Sequence, residues 1–278
     1  ALTQTFQLGV LGDPVAQSKS PLIHRDFGDE AGLSIRYEAI QCQPTALPQT
    51  LQRLWAEGYA GLNITVPLKA DAAELCLGLS TAAKISGSVN TLIRQDEGWY
   101  GTSTDGGGLV DDLNALNIAL DQRRILILGA GGAVAGICGE LLSAGASRVT
   151  VMNRTYERAR ALCARWDDPR LLPLSNPPLD TALDTGLPYD LMIQGTSIGH
   201  AGHLPHLEAH WLRADGAIYD LNYGTAHRPM AQWADAHGFM IHDGLGMLVR
   251  QAALSFELWT GFKPNADAVL ETLRAQRD

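Results

Sequence analysis

One stretch limits the possible folds more than any other. Arg124 to Leu128 form a short apolar run, Gly129-Ala130-Gly131-Gly132 follow at once, a helical pattern continues to about Ala144, and a second strand-like run occupies Arg148 to Met152. Strand, glycine turn, helix and strand in this order make a mononucleotide-binding β-α-β unit of a parallel sheet. Glycine lets the backbone approach a pyrophosphate, and the helix behind it offers free N–H groups and the positive end of its dipole. The third glycine of the usual G-x-G-x-x-G pattern is replaced by Val134, so the glycines alone also fit a tight turn in some other α/β protein.

The end of the second strand carries more information. An enzyme that grips unphosphorylated ribose hydroxyls places a carboxylate there, whereas this chain has Asn153-Arg154-Thr155, with Arg158 about one helical turn further on. A carboxylate would repel a 2′-phosphate; a guanidinium holds one through two parallel charge-assisted bonds. The pattern points to NADP, against the plainer reading of two solvated surface arginines.

The remaining residues read as an α/β chain of two domains, as 278 residues allow. Phe6 to Leu11, a helix from Pro21, Tyr37 to Ile40, a helix around Leu51 to Glu57, and Gly61 to Val66 give a β-α-β-α-β rhythm that favours a mostly parallel sheet. Further strands are expected at Leu171 to Leu174, Asp190 to Gln194, Ala217 to Asp220 and Phe239 to His242, and helices at Leu245 to Thr260 and Ala266 to Ala275. Most of Asp167 to Leu187, rich in Pro, Asp and Thr, reads as loop.

Composition excludes several classes. The net charge of -9, with 21 scattered basic residues, argues against nucleic acid. No apolar run is long enough to span a bilayer. Cys42, Cys76, Cys138 and Cys163 are far apart, with no C-x-x-C pair and no recognisable signal peptide, which suits reduced thiols in a cytoplasmic protein. His200, His203, His206 and His210 have spacing that can bind zinc, but Gly202 and Pro205 interrupt any helix, so the stretch reads as a surface loop and no metal is expected.

Small polar clusters stand at element ends. In Ser18-Lys19-Ser20-Pro21, Ser20 reads as the N-cap of a helix leaving at Gly32, and two hydroxyls beside a helix N-terminus also suit a carboxylate ligand. Lys69 ends Asn63-Ile64-Thr65-Val66-Pro67-Leu68-Lys69, just past a strand. Ser88-Val89-Asn90-Thr91 and Thr104-Asp105-Gly106 follow, where Asp105 reads either as a helix cap or as a functional carboxylate.

Taken in order and spacing, these segments, with Thr196-Ser197 and Asp243-Gly244-Leu245-Gly246-Met247-Leu248-Val249, resemble the shikimate dehydrogenases over nearly the whole chain. The resemblance implies a substrate domain of residues 1–105 and 243–278, a Rossmann-like NADP-binding domain of residues 106–242, and an active site in the cleft between them. It implies that Ser18 and Ser20 hold a substrate carboxylate, aided by Tyr223. Thr65, Asn90, Asp105 and Gln251 would bond ring hydroxyls or each other, and Lys69 and Asp105 would form a hydrogen-bonded catalytic pair. Gly129, Gly131, Gly132, Ala133, Asn153, Arg154, Thr155 and Arg158 would bind NADP, with backbone groups near Thr196, Tyr219 and Gly244 approaching the nicotinamide. The implied reaction is hydride transfer to or from one ring alcohol of a cyclic polyhydroxy carboxylate, shikimate first, with quinate or an aminated analogue as relatives, in a monomer or homodimer. A ligand-binding regulator on the same scaffold would have no need of the Lys69 and Asp105 pair. Ser103, Val134-Ala135, Gln194-Gly195 and Leu68 depart from the family's commoner residues.

Overall fold

The computed structural model describes residues 4–179 and 188–276. The chain separates into two compact units, Ala1–Gly108 with Leu248–Asp278, and Leu109–Met247. In chain order the first part contains β1 (Thr5–Gly12), α1 (Ser20–Ala31), β2 (Ser34–Gln41), α2 (Leu47–Ala56), β3 (Gly61–Ile64), α3 (Lys69–Glu74), β4 (Gly78–Leu79), α4 (Thr81–Ser86), β5 (Thr91–Arg94), β6 (Trp99–Thr102) and α5 (Asp105–Ala115). The second unit continues with β7 (Arg124–Leu128), α6 (Gly132–Ser143), β8 (Arg148–Asn153), α7 (Tyr156–Cys163), β9 (Leu171–Ser175), β10 (Tyr189–Gln194), β11 (Leu212–Asp220), α8 (Arg228–Ala236) and β12 (Met240–His242). Helices α9 (Leu245–Thr260) and α10 (Ala266–Ala275) end the chain.

The first sheet has the order β2-β1-β3-β5-β6-β4. It is parallel at β1/β2, β1/β3 and β4/β6, and antiparallel where β5 enters between β3 and β6. The β-α-β-α-β rhythm accounts for its parallel part. Strands β5 and β6 were absent from the sequence reading because each has four residues and no run of apolar alternation. Its core holds Leu11, Leu51, Leu54, Leu62, Ile64 and Leu92.

The second sheet, β12-β11-β10-β7-β8-β9, is parallel throughout. Its central strands read as near-continuous apolar runs because helices cover both faces. Ile125 to Leu128 and Leu191 to Ile193 are each at most 1% exposed. The expected strands all form: β7 as expected, β8, β9 and β10 each one residue longer, β11 reaching back to Leu212, and β12 beginning one residue later than expected. Within the segment assigned to loop, β9 is the regular part and residues 180–187 lie outside the described residues. No helix among the described residues is long and apolar enough to cross a membrane.

The start of α1 corrects the capping assignment. Lys19, not Ser20, occupies the N-cap, and no side chain caps there; Ser20 and Pro21 are the first two helical residues. Pro21 tolerates this place because an N–H in the first turn has no intrahelical partner. Gly32 ends the helix at φ 65°, as expected.

Candidate active site

In the first unit, the turn after β3 delivers Lys69 to the first position of α3, and β6 delivers Asp105 to the first turn of α5. Lys69 Nζ donates to Asp105 Oδ2 at 2.7 Å, with the two side chains 13% and 7% exposed. The other carboxylate oxygen, Oδ1, accepts from Asn90 Nδ2 at 3.0 Å. Both oxygens of Asp105 are thus engaged away from the helix amides. Ser103 Oγ instead accepts from Asp105 N at 3.4 Å, so the side chain of Asp105 does not cap α5.

Asn90 is the centre of this arrangement. Its Nδ2 lies within bonding distance of Thr104 Oγ1 (2.8 Å), Asp105 Oδ1 (3.0 Å) and Gln251 Oε1 (3.1 Å), and its Oδ1 accepts from Thr91 Oγ1 (2.7 Å) and Thr104 N (2.8 Å). Two N–H bonds are shared among three acceptors, so the amide has one permitted orientation. Gln251 arrives from α9, held by its own Nε2 donating to Leu248 O and by Thr104 Oγ1 donating to Gln251 O.

Beneath Asn90 runs a buried polar network that the sequence reading missed. Ser255, fully buried on α9, bonds Thr91 (2.8 Å), Thr104 (3.1 Å) and Asn63 Nδ2 (3.3 Å), and Asn63 Oδ1 accepts from Tyr37 OH at 2.7 Å. One signal was available: Ser255 stands four residues after Gln251 and so shares its helix face.

The other expected substrate residues of this unit sit apart from the pair in bonding terms. Ser18 Oγ accepts from Ser20 N at 3.2 Å, Ser20 is buried at the start of α1, and Thr65 follows β3, its N–H bonded to Leu11 O. Tyr223 belongs to the second unit, where burial raises its hydroxyl pKa.

In the second unit, Gly129 turns the chain at φ 109°, and a Cβ there would meet the backbone of Gly195 and Thr196 at 3.0–3.1 Å. Gly131 is the N-cap of the 12-residue α6, and a Cβ on it would meet nothing within 4 Å. The space before these first-turn amides is open, as a pyrophosphate requires. Val134, at the third-glycine position, is fully buried in the core. The close helix–strand approach which that glycine normally permits is provided from the opposite side: a Cβ on Gly195 would lie 2.6 Å from Val134 Cγ2.

Arg154 and Arg158 are exposed and form no ion pair among the described residues. The nearby carboxylate of Glu157 is taken by Arg160, whose guanidinium holds it below the usual range. Among the described residues, the end of β8 therefore presents two unpaired guanidiniums, with the Glu157 carboxylate already taken, a donor set that fits a 2′-phosphate. Tyr219 is buried in β11, its hydroxyl donating to Asp112 Oδ2 at 2.7 Å. Thr196 is held by Gln194 and Asn222, and Gly244 N donates to Asn222 O.

The four cysteines are free. Among the described residues no group of three or more His, Cys, Asp or Glu side chains is placed to hold a metal ion. His206 lies 3.5 Å from Glu208 and edge-on to Trp211.

A wholly parallel sheet with a glycine turn opening its first helix in the second unit, and an ammonium buried against a carboxylate in the first, define a two-unit α/β protein of the dinucleotide-binding class. Family models match in three segments: the shikimate dehydrogenase substrate binding domain over residues 10–92, shikimate/quinate 5-dehydrogenase over 113–199, and the shikimate 5'-dehydrogenase C-terminal domain over 244–274. The shikimate dehydrogenase (NADP(+)) of Thioalkalivibrio sulfidiphilus is 42% identical over 268 residues, covering 95% of this chain and 97% of that protein. Among solved structures, an Ael1 enzyme from Pseudomonas putida has a TM-score of 0.88 and 34% identity, covering 96% of this chain and 98% of its own. The shikimate 5-dehydrogenase of Thermus thermophilus in complex with NADP(H) and shikimate has a TM-score of 0.82 and 33% identity, covering 97% and 99%. This chain belongs to the shikimate dehydrogenase family.

Proposed function

We propose that the chain is an NADP-dependent shikimate dehydrogenase, interconverting shikimate and 3-dehydroshikimate by reversible hydride transfer. The observation that carries the reading is the Lys69–Asp105 pair at 2.7 Å, almost withdrawn from solvent and locked by Asn90. A protein that only bound its ligands would have little use for this pair, because taking an ammonium and a carboxylate out of water costs free energy that their mutual attraction need not repay. The names of the relatives supply the substrate and the cofactor.

In this reading residues 1–105 and 243–278 bind substrate and residues 106–242 bind NADP. When bound, NADP supplies the hydride acceptor or donor. The chain's residues do the rest. Ser18 and Ser20 hold the substrate carboxylate. Ser18 Oγ already accepts from Ser20 N, which leaves its own O–H to donate outward, and Tyr223 assists. Thr65, Asn90 and Gln251 align the ring hydroxyls, Asn90 through whichever N–H the bound ring draws from its three acceptors.

Lys69 Nζ takes the hydroxyl proton during oxidation and returns it to the carbonyl oxygen during reduction. Asp105 aims the ammonium through the 2.7 Å bond from Nζ to Oδ2. Arg154 and Arg158 clamp the 2′-phosphate, Gly129, Gly131, Gly132 and Ala133 cradle the pyrophosphate, and Asn153 and Thr155 line the ribose. Backbone groups at Thr196, Tyr219 and Gly244 hold the nicotinamide. The enzyme works on a small molecule in the cytoplasm.

Steady-state rates with shikimate, quinate and 3-dehydroshikimate, each with NADP and with NAD, test the proposal. Shikimate with NADP is expected to give the highest kcat/KM; turnover of quinate alone, or a preference for NAD, would overturn it.

A further inference from the structure

Tyr37 stands on β2 yet reaches across the first sheet to β3. It is paired with Leu8 of β1, while Asn63 of β3 is paired with Val10 of β1, so the Tyr37 ring spans β1 to bring its hydroxyl 2.7 Å from Asn63 Oδ1. The ring is buried and stacked on His24 at 4.5 Å, with the planes 11° apart, which fixes where the hydroxyl points. Burial pushes the phenol pKa well above its ordinary value, an effect that the Ser20 hydroxyl offsets only in part. Tyr37 is therefore a neutral phenol with a single hydrogen to give, and Asn63 receives it.

That hydrogen sets the direction of the bonds behind it. With its oxygen turned to Tyr37, Asn63 directs Nδ2 to Asn90 O at 3.2 Å and to Ser255 Oγ at 3.3 Å. The Thr91 hydroxyl donates to Asn90 Oδ1 at 2.7 Å, so Ser255 is the donor in its 2.8 Å contact with Thr91. Asn90, oriented in this way, presents Nδ2 to Asp105 Oδ1 at 3.0 Å, and Asp105 Oδ2 accepts from Lys69. Tyr37, Asn63, Ser255, Thr91, Asn90 and Asp105 are all buried, where an unpaired polar group is costly. A reversed Asn63 would set its oxygen against Asn90 O and would draw the Ser255 and Thr91 hydrogens to itself. Asn90 Oδ1 would then keep only the bond from Thr104 N.

We propose that Tyr37 is a positioning residue of the reaction: its hydroxyl fixes the orientation of Asn63 and, through Ser255, Thr91 and Asn90, that of the Asp105 carboxylate that aims Lys69. The inference rests on the reading of Lys69 and Asp105 as the catalytic pair. Tyr37 bonds neither of them and acts through the chain of amides and hydroxyls alone.

Steady-state kinetics on Tyr37→Phe, Thr91→Val, Thr91→Ser and the double variant Y37F/T91V test this, with Lys69→Ala alongside. Shikimate is varied at saturating NADP, and rates are counted per folded chain from urea unfolding. Tyr37→Phe keeps the ring against His24 and removes only the hydroxyl. It is expected to lower kcat about tenfold, as a small misplacement of reacting groups does, with KM for NADP unchanged. Thr91→Val is expected to match it, and Thr91→Ser, which keeps the hydroxyl, to recover most of the loss. Because both substitutions break one chain, Y37F/T91V is expected to fall little below the worse single variant, whereas independent packing defects multiply. Ser255→Ala takes the place of Thr91→Val in this comparison if the valine variant does not fold. Undiminished kcat in Tyr37→Phe, equal losses in Thr91→Ser and Thr91→Val, or multiplied losses in the double variant overturn the positioning role. Turnover retained in Lys69→Ala refutes the catalytic pair and this inference with it; turnover lost there but undiminished in Tyr37→Phe refutes the inference alone.

Discussion

The chemistry of the candidate site rests on one contact, Lys69 Nζ to Asp105 Oδ2 at 2.7 Å. If Lys69 moves the proton, Lys69→Ala lowers kcat by about 10² to 10⁴, the usual range for losing a positioned acid or base, while the Kd for NADP measured by fluorescence titration stays near wild type. A variant with unchanged turnover removes Lys69 from the mechanism. At the other site, Arg154 forms no ion pair among the described residues, so its removal tests the phosphate grip cleanly. Arg154→Ala is expected to raise KM for NADP by at least about tenfold and to leave KM for NAD nearly unchanged; equal losses with both cofactors would contradict a 2′-phosphate contact. These residues were legible in the sequence because they stand at strand ends in short polar clusters. Ser255 and Tyr37 were not, because each sits inside an element that reads as apolar, and Asn63 and Thr91 stood in the polar clusters without an assigned role. Their function depends on α9 and the first sheet meeting, with Ser255 and Asn63 192 positions apart in the chain.

At the scale of elements, the second sheet was the easier to read, since each buried parallel strand is a compact apolar run bounded by polar or turn residues. Strands β4 to β6 carry too few residues for periodicity to register, and β5 is defined by its antiparallel partners rather than by its own pattern. Val134 illustrates a different limit. From the sequence it is a missing glycine, whereas the packing makes it one half of a pair with Gly195, whose added Cβ would lie 2.6 Å from Val134 Cγ2 and 3.0 Å from Leu128 O. Gly195→Ala is therefore expected to destabilise the second unit by about 1–3 kcal/mol, as overpacking does. Part of that cost should disappear in a Val134→Ala background, because the clashing methyl is gone. Urea denaturation of the two single variants and the double gives the coupling; strictly additive effects would mean that the two side chains do not share the space.

At the scale of the whole molecule, the first unit is closed by chain segments from both ends of the sequence, and His24 stands where they meet. Its ring is fully buried, stacked on Tyr37 at 4.5 Å and Phe256 at 6.1 Å, with Trp259 at 5.3 Å and Phe27 edge-on at 5.8 Å. Among the described residues, neither ring nitrogen has a partner in hydrogen-bonding geometry. Burial pushes its pKa from 6.5 down to about 3, and the neighbouring Asn63 offsets only part of that. The folded chain keeps His24 neutral at a pH where the unfolded chain already binds the proton. Its contribution to stability is thus complete above about pH 6.5 and is lost as pH falls toward about 3. Within that window the loss approaches about 1.4 kcal/mol per pH unit. Carboxylates titrate over part of the same range, so the informative quantity is a difference between two proteins. His24→Phe keeps a ring against Tyr37 and cannot take up a proton. The stability gap between wild type and His24→Phe, from urea unfolding at about pH 7 and about pH 5, is expected to shift in favour of the variant as the solution is acidified. Parallel profiles would mean that the acid sensitivity of this unit lies elsewhere than in the aromatic cluster joining α1, β2 and α9.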